Sequence, residues 1–249
     1  MTGSFESKPR PKGVLSAVVH HATEVESPAS KIYVYEAPVR IWHWFNAACI
    51  VLLCVTGYLI GKPLPSVAGE ASSHFAFGYV RMIHFGAGQV LAIALIFRIG
   101  WAFIGNHHAH QLFLPPIWSR KWWGEIFHEI RWYSFLEKTP KKYVGHNPLA
   151  QLAMFVMFLL PLLNAIATGF ALYAEGMGIE SWWYQWFGWV FAVYGDSMFV
   201  HTVHRINMWV IVCFSLIHIY VAVREDIMSR QSLISTMISG WRYFKDDRE

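Results

Sequence analysis

Four long stretches of the chain are almost free of charged side chains, and polar or charged connections separate them. They are residues 41–61, 82–104, 149–172 and 203–223. A helix needs about 20 apolar residues to cross a bilayer, and unbroken runs of this length favour helices over the strands of a closed barrel. The pattern therefore predicts an all-α integral membrane protein built as a four-helix bundle.

Two further segments predict interfacial amphipathic helices that lie on the membrane without crossing it. Residues 181–194 (SWWYQWFGWVFAVY) carry four Trp and no charge but are too short to span, which suits the level of the lipid headgroups. Residues 118–138 have an apolar stripe at helical spacing, with the charged side chains mostly elsewhere. The stripe consists of Trp122, Ile126, Ile130 and Tyr133.

Composition agrees with a membrane protein, because 55% of the 249 residues are apolar, 17% are aromatic and only 14% are charged. The Lys and Arg residues also predict the orientation, since positive charges accumulate in cytoplasmic connections. Sixteen of them lie in the two terminal regions and the 105–148 connection, whereas the opposite side holds only Lys62, Arg81 and Arg205. Both termini are therefore predicted to be cytoplasmic.

Three regions follow from this topology. Residues 1–32 are predicted to be a disordered, polar cytoplasmic lead, and their lack of a continuous apolar core argues against a cleaved signal peptide. Residues 33–224 form the transmembrane domain, and residues 225–249 form a cytoplasmic tail. The three cysteines fall inside predicted helices without a C-x-x-C pair, which excludes the usual covalent attachment of a c-type haem.

Four histidines fall inside the ends of the predicted membrane helices. The topology places His84 and His204 near the outer face and His43 and His218 near the cytoplasmic face. His204 and His218 are fourteen residues apart on one helix, which corresponds to about 21 Å of rise and to within about 40° of four full turns. The two side chains therefore project from nearly the same helix face, one at each membrane level. His201 lies about 100° from that face and is the weaker candidate.

One imidazole from each of two facing helices, inside an apolar bundle, is the ligand set of a six-coordinate b-type haem. The pairs His84 with His204 and His43 with His218 therefore predict two haem b groups, so that residues 33–224 form a di-haem domain. Gly86 and Gly88 beside His84 would leave room for a flat ring. Arginines near these ligands could pair with the haem propionates. These are Arg40, Arg81 and Arg205.

Other interpretations of these histidines are weaker. A single His near a membrane helix end is commonly an interfacial residue, but four at matched depths are harder to explain in that way. A metal transporter or a proton pump would normally place carboxylates at the same depth. The four predicted spans contain no Asp or Glu, which counts against both activities. Positive-inside anchoring explains Arg40 as well as haem binding does.

Four stretches of the sequence closely resemble the b-type cytochrome subunit of membrane-bound [NiFe] hydrogenases. They include VYEAPVRIWHWFNAACIVLLCVTGYLIGKPLP, GYVRMIHFGAGQVLAIALIFRIGWAFIGN and RWYSFLEKTPKKYVGHNPLAQLAMF, and the last stretch runs from HTVHRINMWV to the tail REDIMSRQSLISTMISGWR. The resemblance extends from about Tyr33 to Phe244. The motif R-x-W-H-W, followed about twelve residues later by T-G, is fairly specific, and the REDIMS and STMISG tail is typical of the hydrogenase subunit.

The resemblance implies a multi-pass, di-haem subunit in the cytoplasmic (inner) membrane of a bacterium. Its partners would be a periplasm-facing large subunit with a Ni–Fe centre and a small subunit with iron–sulfur clusters. Electrons would pass to the outer haem, then to the inner haem, and finally to a quinone; the family's ligands fall on His43, His84, His204 and His218. The chain lacks the clustered thiolates of a nickel site and is therefore not expected to cleave H₂ by itself.

A quinone pocket is expected at the cytoplasmic level, beside His43 and His218. Its candidate residues are Tyr143, His146 and Asn147, although helix capping by Asn147 and an interfacial Tyr are sufficient structural reasons for two of them. The lipid bilayer is the remaining partner, and nothing indicates nucleic acid. Two alternatives stay open, namely a cytochrome b subunit of another periplasmic oxidoreductase, such as a formate dehydrogenase, and a membrane anchor without redox function.

Overall fold

The computed structural model describes residues 31–65, 68–70 and 74–244. Ten helices and strands follow one another along this part of the chain. They are β1 (Lys31–Tyr33), α1 (Ala37–Gly61), α2 (Ala76–Ile104), α3 (Arg120–Tyr133), α4 (Pro148–Met177), α5 (Trp182–Phe187), α6 (Trp189–Tyr194), α7 (Ser197–Met228), α8 (Leu233–Ser239) and β2 (Trp241–Tyr243).

Four of these helices are long and apolar enough to cross a membrane, namely α1, α2, α4 and α7, with 25, 29, 30 and 32 residues. They confirm the predicted four-helix membrane bundle. Each one extends beyond the predicted apolar run, because polar side chains and prolines suit the helix ends that leave the hydrocarbon. Asp196, for example, caps α7 by accepting a hydrogen bond from the Phe199 amide at 2.7 Å.

The exposed surface of the bundle is apolar, as a lipid-facing surface requires. Ile96, Phe97 and Leu216 are 69%, 75% and 66% exposed, although they lie in the middle or inner part of spanning helices. The buried core between the helices is formed by a smaller apolar set. Its members include Leu91, Leu95, Phe158, Leu162, Ile211 and Phe214.

Helix α4 contains an irregular turn that the sequence analysis did not predict. After the Asn147 cap and Pro148, the helix widens into a π-helical segment over Met154–Leu159 and then continues as an α-helix from Leu160. Pro161 lies at the start of that last segment and has no backbone N–H to donate. The wider turn accommodates this missing hydrogen bond inside the membrane.

The two described ends of the chain meet at one end of the bundle, called here the strand end. Strand β1 pairs with β2 in antiparallel register, with Lys31 opposite Tyr243 and Tyr33 opposite Trp241. Helix α8 also packs on the start of α1, because the Trp44 indole donates to the Met237 carbonyl at 3.0 Å and the Arg40 guanidinium donates to the Ile238 carbonyl. Because the chain has four spanning helices, an even number, both described ends lie at the same end of the bundle.

The bounds of the predicted cytoplasmic lead and tail do not coincide with the ends of the helices and strands. Most of the predicted 1–32 lead lies outside the described residues, and its last two residues belong to β1. The predicted tail begins inside α7, which continues to Met228. Beyond that helix the chain folds back along β1 and α1.

The Trp-rich segment forms two short helices, α5 and α6, at the opposite end of the bundle. This end is called here the cavity end, because a cavity described below opens there. Gly188 separates them, and a Cβ at this position would lie 2.6 Å from the Tyr184 carbonyl oxygen. Their aromatic side chains Phe187 and Phe191 pack around Ala171 of α4. The segment is thus short and non-spanning, as predicted, but it is bent into two helices.

Candidate functional site

The four predicted histidines form two facing pairs, one near each end of the bundle. The ring centres of His84 on α2 and His204 on α7 are 6.4 Å apart at the cavity end. The ring centres of His43 on α1 and His218 on α7 are 6.2 Å apart at the strand end. The pairing that was inferred from helix direction and helical spacing is therefore present in the structure.

These separations fit a metal ion bound between two imidazoles. A metal–nitrogen bond is about 2 Å, and each nitrogen lies about 1.1 Å from its ring centre, so two axial imidazoles have centres about 6 Å apart. The two measured separations match this value without any movement of the helices. Both pairs can therefore accept an iron between their rings.

A cavity of about 630 Å³ opens beside the cavity-end pair. Its volume is that of a site for a large organic ligand. Its walls are mainly apolar and come from α1, α2, α4 and α7. Of the two glycines that were predicted to make room for a flat ring, Gly88 lines the cavity and Gly86 does not. The space and its lining suit the hydrophobic macrocycle of a haem.

Two threonines fix the orientation of the imidazoles at this cavity. The Thr56 hydroxyl donates to the Leu52 carbonyl at 2.7 Å and lies 2.9 Å from Nδ1 of His84. Because its hydrogen is used in that backbone bond, the hydroxyl oxygen accepts the Nδ1–H of the imidazole. The proton therefore resides on Nδ1, and the Nε2 lone pair is left for a metal.

The second ligand of this pair has the same arrangement. Thr168 on α4 donates to the Asn164 carbonyl at 2.7 Å, and its oxygen lies 3.0 Å from Nδ1 of His204. Thr168 is fully buried. Each imidazole is therefore held by a threonine from a neighbouring helix, and both present Nε2 for binding.

A glycine follows each of these threonines and makes room for the imidazole. A Cβ on Gly57 would lie 3.0 Å from Cε1 of His84, and a Cβ on Gly169 would lie 3.1 Å from Cε1 of His204. Only the first T-G pair was predicted from the sequence, as part of a resemblance. The second pair in IATGFA repeats the first in CVTGYL, and this repetition is the signal that could have found it.

Positive side chains line the mouth of the cavity. Lys62, Arg81 and Arg205 all contribute to its lining. Arg205 reaches across to α1, where its Nη2 donates to the Gly61 carbonyl at 3.4 Å and occupies the space that a Cβ on Gly61 would fill. This charge is complementary to the two propionates of a haem. His201 also lines the cavity, but its Nδ1 lies 2.9 Å from the Ser197 carbonyl oxygen.

The strand-end pair has a different environment. Phe214 stacks on His218 with ring centres 5.5 Å apart, and Trp44 packs edge-on against His43. Within the described part of the chain, Nδ1 of His43 is buried and has no hydrogen-bond partner. Arg40, a predicted propionate partner, is engaged by the Ile238 carbonyl of α8. The two pairs thus share their spacing and differ in the contacts around their rings.

The three candidate quinone residues lie at the strand end. His146 is within electrostatic range of both His43 and His218, and its ring lies 3.1 Å from the Tyr35 hydroxyl. Burial, followed by the nearby Arg242 guanidinium, holds the pKa of His146 well below its ordinary value, so the ring is neutral at pH 7.

The other two candidates are partly engaged by the protein itself. Asn147 caps α4 by accepting from the Ala150 amide at 2.6 Å, and its Nδ2 donates to the Tyr133 hydroxyl at 3.1 Å. Tyr143 is 4% exposed, and its hydroxyl lies beside the Glu129 carboxylate. His146 and Asn147 are thus partly exposed, whereas Tyr143 is buried.

A bundle of four membrane helices with facing imidazole pairs at haem spacing defines a membrane-embedded b-type cytochrome. The sequence profile of one family matches residues 34–240, and that family is described as prokaryotic cytochrome b561. The chain belongs to the prokaryotic cytochrome b561 family. Haem b and electron transfer follow from this membership.

Curated relatives are similar to the chain over most of its length. A protein of Rhizobium leguminosarum bv. viciae is 60% identical over 232 residues, which cover 93% of this chain and 96% of the relative. A protein of Azotobacter vinelandii is 59% identical over 87% of this chain and 90% of its own length. Both relatives are named "Probable Ni/Fe-hydrogenase B-type cytochrome subunit".

A more distant relative comes from Escherichia coli strain K12. It is 50% identical over 221 residues, covering 86% of this chain and 91% of its own length. Its name is "Probable Ni/Fe-hydrogenase 1 B-type cytochrome subunit".

Proposed function

We propose that this chain is the di-haem b subunit that anchors a periplasm-facing [NiFe] hydrogenase in the bacterial inner membrane and passes its electrons to quinone. The observation that supports the proposal most strongly is the presence of two imidazole pairs at haem spacing, one near each end of the bundle. The names of the relatives supply the hydrogenase as the partner.

Each haem has its own set of binding residues. His84 and His204 would bind the haem iron at the cavity end, while the hydroxyls of Thr56 and Thr168 accept hydrogen bonds from their Nδ1–H groups. A haem iron with two imidazole ligands supplies one-electron oxidation and reduction without an open coordination position. His43 and His218 would bind the haem iron at the strand end.

Positively charged side chains bear on two features of the relay, namely the binding of the haem propionates and the orientation of the chain in the membrane. Arg81 and Arg205 at the mouth of the cavity would bind the propionates of the cavity-end haem. Arg40 would do so at the strand end through its Nε, which has no hydrogen-bond partner among the described residues, while its Nη1 donates to the Ile238 carbonyl. The excess of Lys and Arg in the connections of the strand end supports a cytoplasmic position for that end and a periplasmic position for the cavity end.

Electron entry is therefore at the cavity end, where the hydrogenase docks. The small subunit would bring an iron–sulfur cluster close to the His84 and His204 pair, and the large subunit would hold the Ni–Fe centre. The exposed indoles of Trp182, Trp186 and Trp189 on α5 and α6 lie at the same end. They supply aromatic surface for this contact or for the lipid headgroups.

Electron exit is at the strand end, where quinone binds next to the second haem. A quinone needs hydrogen-bond donors for its carbonyls, and we propose His146 as the main donor, with Tyr143 and Asn147 in the wall of the pocket. His146 is suited to this role because it is close to His43 and His218 and because its pKa keeps the ring neutral. Neutral His146 can donate one N–H to a carbonyl oxygen.

The relay can be tested with ligand variants in the intact hydrogenase complex. In the wild type, H₂ should reduce both haems, and added quinone should reoxidise them. His43→Ala should leave the cavity-end haem reducible by H₂ but abolish H₂-dependent quinone reduction. His84→Ala should leave the strand-end haem oxidised under H₂. His201→Ala is the matched control and should retain both haems, because its Nδ1 is bonded to Ser197.

Three outcomes would contradict the proposal. Quinone reduction that persists in His43→Ala would refute the order of the relay. Haem that is reduced by formate and not by H₂ would assign the chain to another oxidoreductase. A complex whose b-type spectrum is unchanged in all four histidine variants would make the chain an anchor without redox function.

A further inference from the structure

Helix α3 buries two carboxylates on the face that packs against the bundle. Glu125 and Glu129 are 7% and 2% exposed, although the sequence pattern placed them away from the apolar stripe. Burying a carboxylate is costly unless it is paired, hydrogen-bonded or protonated. The contacts of Glu129 therefore indicate what this side chain does.

Glu129 lies between a side chain that reaches solvent and the residues of the proposed quinone pocket. The His128 side chain is 21% exposed, and its Nδ1 lies 3.4 Å from Oε1 of Glu129. On the other side, the Tyr143 hydroxyl lies beside the Glu129 carboxylate and acts to lower its pKa. The path from solvent to Tyr143 thus runs through His128 and Glu129.

A second carboxylate near Glu129, that of Glu225, is paired with an arginine. Glu225 of α7 accepts a hydrogen bond from Arg224 at 2.7 Å and another from the Trp132 indole at 2.7 Å. Glu225 is therefore paired with a cation, whereas Glu129 lies beside a tyrosine hydroxyl and a histidine. This difference makes Glu129 the candidate for a carboxylate that exchanges protons.

The pKa of Glu129 agrees with this assignment. Burial, then the negative charge of Glu225, raises this pKa from 4.5 to about 7, and Glu125 acts in the same direction. The Tyr143 hydroxyl and the Lys141 ammonium act in the opposite direction and lower this pKa. A carboxyl group with a pKa near the working pH gives up and regains a proton readily.

We propose that Glu129 is the proton donor for quinone reduction, delivering protons through the Tyr143 hydroxyl and taking them up from the cytoplasm through His128. The proposal rests on the quinone-reducing function proposed above. One quinone takes up two electrons, which arrive one at a time from the strand-end haem, and two protons to become the quinol. For each proton, the Tyr143 hydroxyl gives its hydrogen to a quinone oxygen and receives another from Glu129.

The test measures haem reoxidation in the intact hydrogenase complex with the full-length chain. The complex is reduced with H₂, the H₂ is removed, and a short-chain benzoquinone or naphthoquinone is added at pH values from 6 to 9. The rate in the wild type should fall above about pH 7, because Glu129 loses its proton there. Glu129→Gln should slow reoxidation about tenfold or more and remove this pH dependence.

Two further measurements separate proton delivery from a structural role. Reduction of the haems by H₂ without quinone should keep its wild-type rate in Glu129→Gln, since electron entry is at the other end of the bundle. Glu137→Gln is the matched control, because Glu137 lies just beyond α3 and pairs with Arg131 at 3.6 Å. It should behave as the wild type in every assay.

His128→Gln keeps the proposal testable if Glu129→Gln does not assemble. This partly exposed side chain can be replaced with little effect on folding, and reoxidation should slow and then recover when imidazole is added. Wild-type rates and pH profiles in both His128→Gln and Glu129→Gln would overturn the proton-donor assignment. Failure of both quinones to reoxidise the wild-type haem would instead refute the quinone-reducing function itself.

Discussion

The threonine that holds His204 offers a direct test of the cavity-end haem site. Thr168→Val keeps the size and the β-branch of the side chain but removes the oxygen that accepts the Nδ1–H of His204 at 3.0 Å. The variant also removes the hydroxyl's own bond to Asn164. The imidazole is then left with a buried N–H and no acceptor from this position.

The magnitude follows from the cost of that unsatisfied donor. A buried donor without a partner costs about 1 to 3 kcal/mol, and removing the group that accepts the other ring N–H of a metal-binding histidine commonly lowers metal affinity by about 10- to 100-fold. The Nδ1–H bond is stronger to an oxidised haem, since the more positive iron makes the imidazole proton more acidic. A difference of about 1 kcal/mol between the two oxidation states corresponds to about 40 mV for one electron.

The assay is a spectroscopic redox titration of the haems in the intact complex. The cavity-end haem of Thr168→Val should have a midpoint potential higher by tens of millivolts, whereas the strand-end haem should be unchanged. Thr56→Val should act in the same direction through His84. Thr202→Val is the matched control, because Thr202 is exposed on α7 and bonds the Met198 carbonyl at 3.0 Å.

Two results would refute the reasoning. If Thr168→Val binds haem and leaves both midpoint potentials within about 10 mV of wild type, the threonine does not act on an iron ligand. If Thr202→Val produces the same shift, the effect comes from loss of a helix-backbone bond and not from His204.

Three other perturbations have defined outcomes. Gly57→Ala places a Cβ 3.0 Å from Cε1 of His84 and should reduce haem per chain, while Gly100→Ala, which has no atom within 4 Å of its Cβ, should not; haem extraction measures both. Arg205→Gln removes a positive charge at the cavity mouth and should lower the midpoint potential of the cavity-end haem in a redox titration. The raised pKa of Glu129 means that wild-type stability in detergent should fall as pH rises from about 4.5 to about 7, by about 3 kcal/mol. Glu129→Gln should lose this decline, as thermal unfolding at pH 5 and pH 8 would show.

The spanning helices and the histidine pairs could be predicted because the signals are local. The apolar runs determine which residues cross the membrane, and alternating helix direction then assigns a depth to each histidine. On α7, the fourteen-residue interval between His204 and His218 is enough to place both on one face. His43 on α1 and His84 on α2 are then predicted to face these two histidines, because each lies at the same membrane depth as one of them.

The threonine and glycine contacts could not be derived in the same way. Thr168 and Gly169 contact His204 across an interface between α4 and α7. Which residues of two helices meet depends on the rotation of each helix about its axis. The amphipathic pattern of these nearly uniformly apolar helices does not specify that rotation.

Helix α3 shows a second limit of sequence patterns. Its predicted stripe included Ile130, which is 44% exposed, and omitted the buried Glu129 and Trp132. Trp132 is buried because its indole bonds Glu225, which is 93 residues away in sequence. The buried face of this helix is thus set by distant polar partners, and a local count of apolar residues cannot reveal them.

The number and reactivity of the haems in the purified complex test the central claim most directly. The measurement is haem b per copy of this chain, by extraction, together with the optical spectrum under H₂ and after addition of quinone. A relay through His84 with His204 and His43 with His218 predicts two haems per chain, both reduced by H₂ and both reoxidised by quinone. A single haem per chain, or a haem that H₂ cannot reduce, would contradict it.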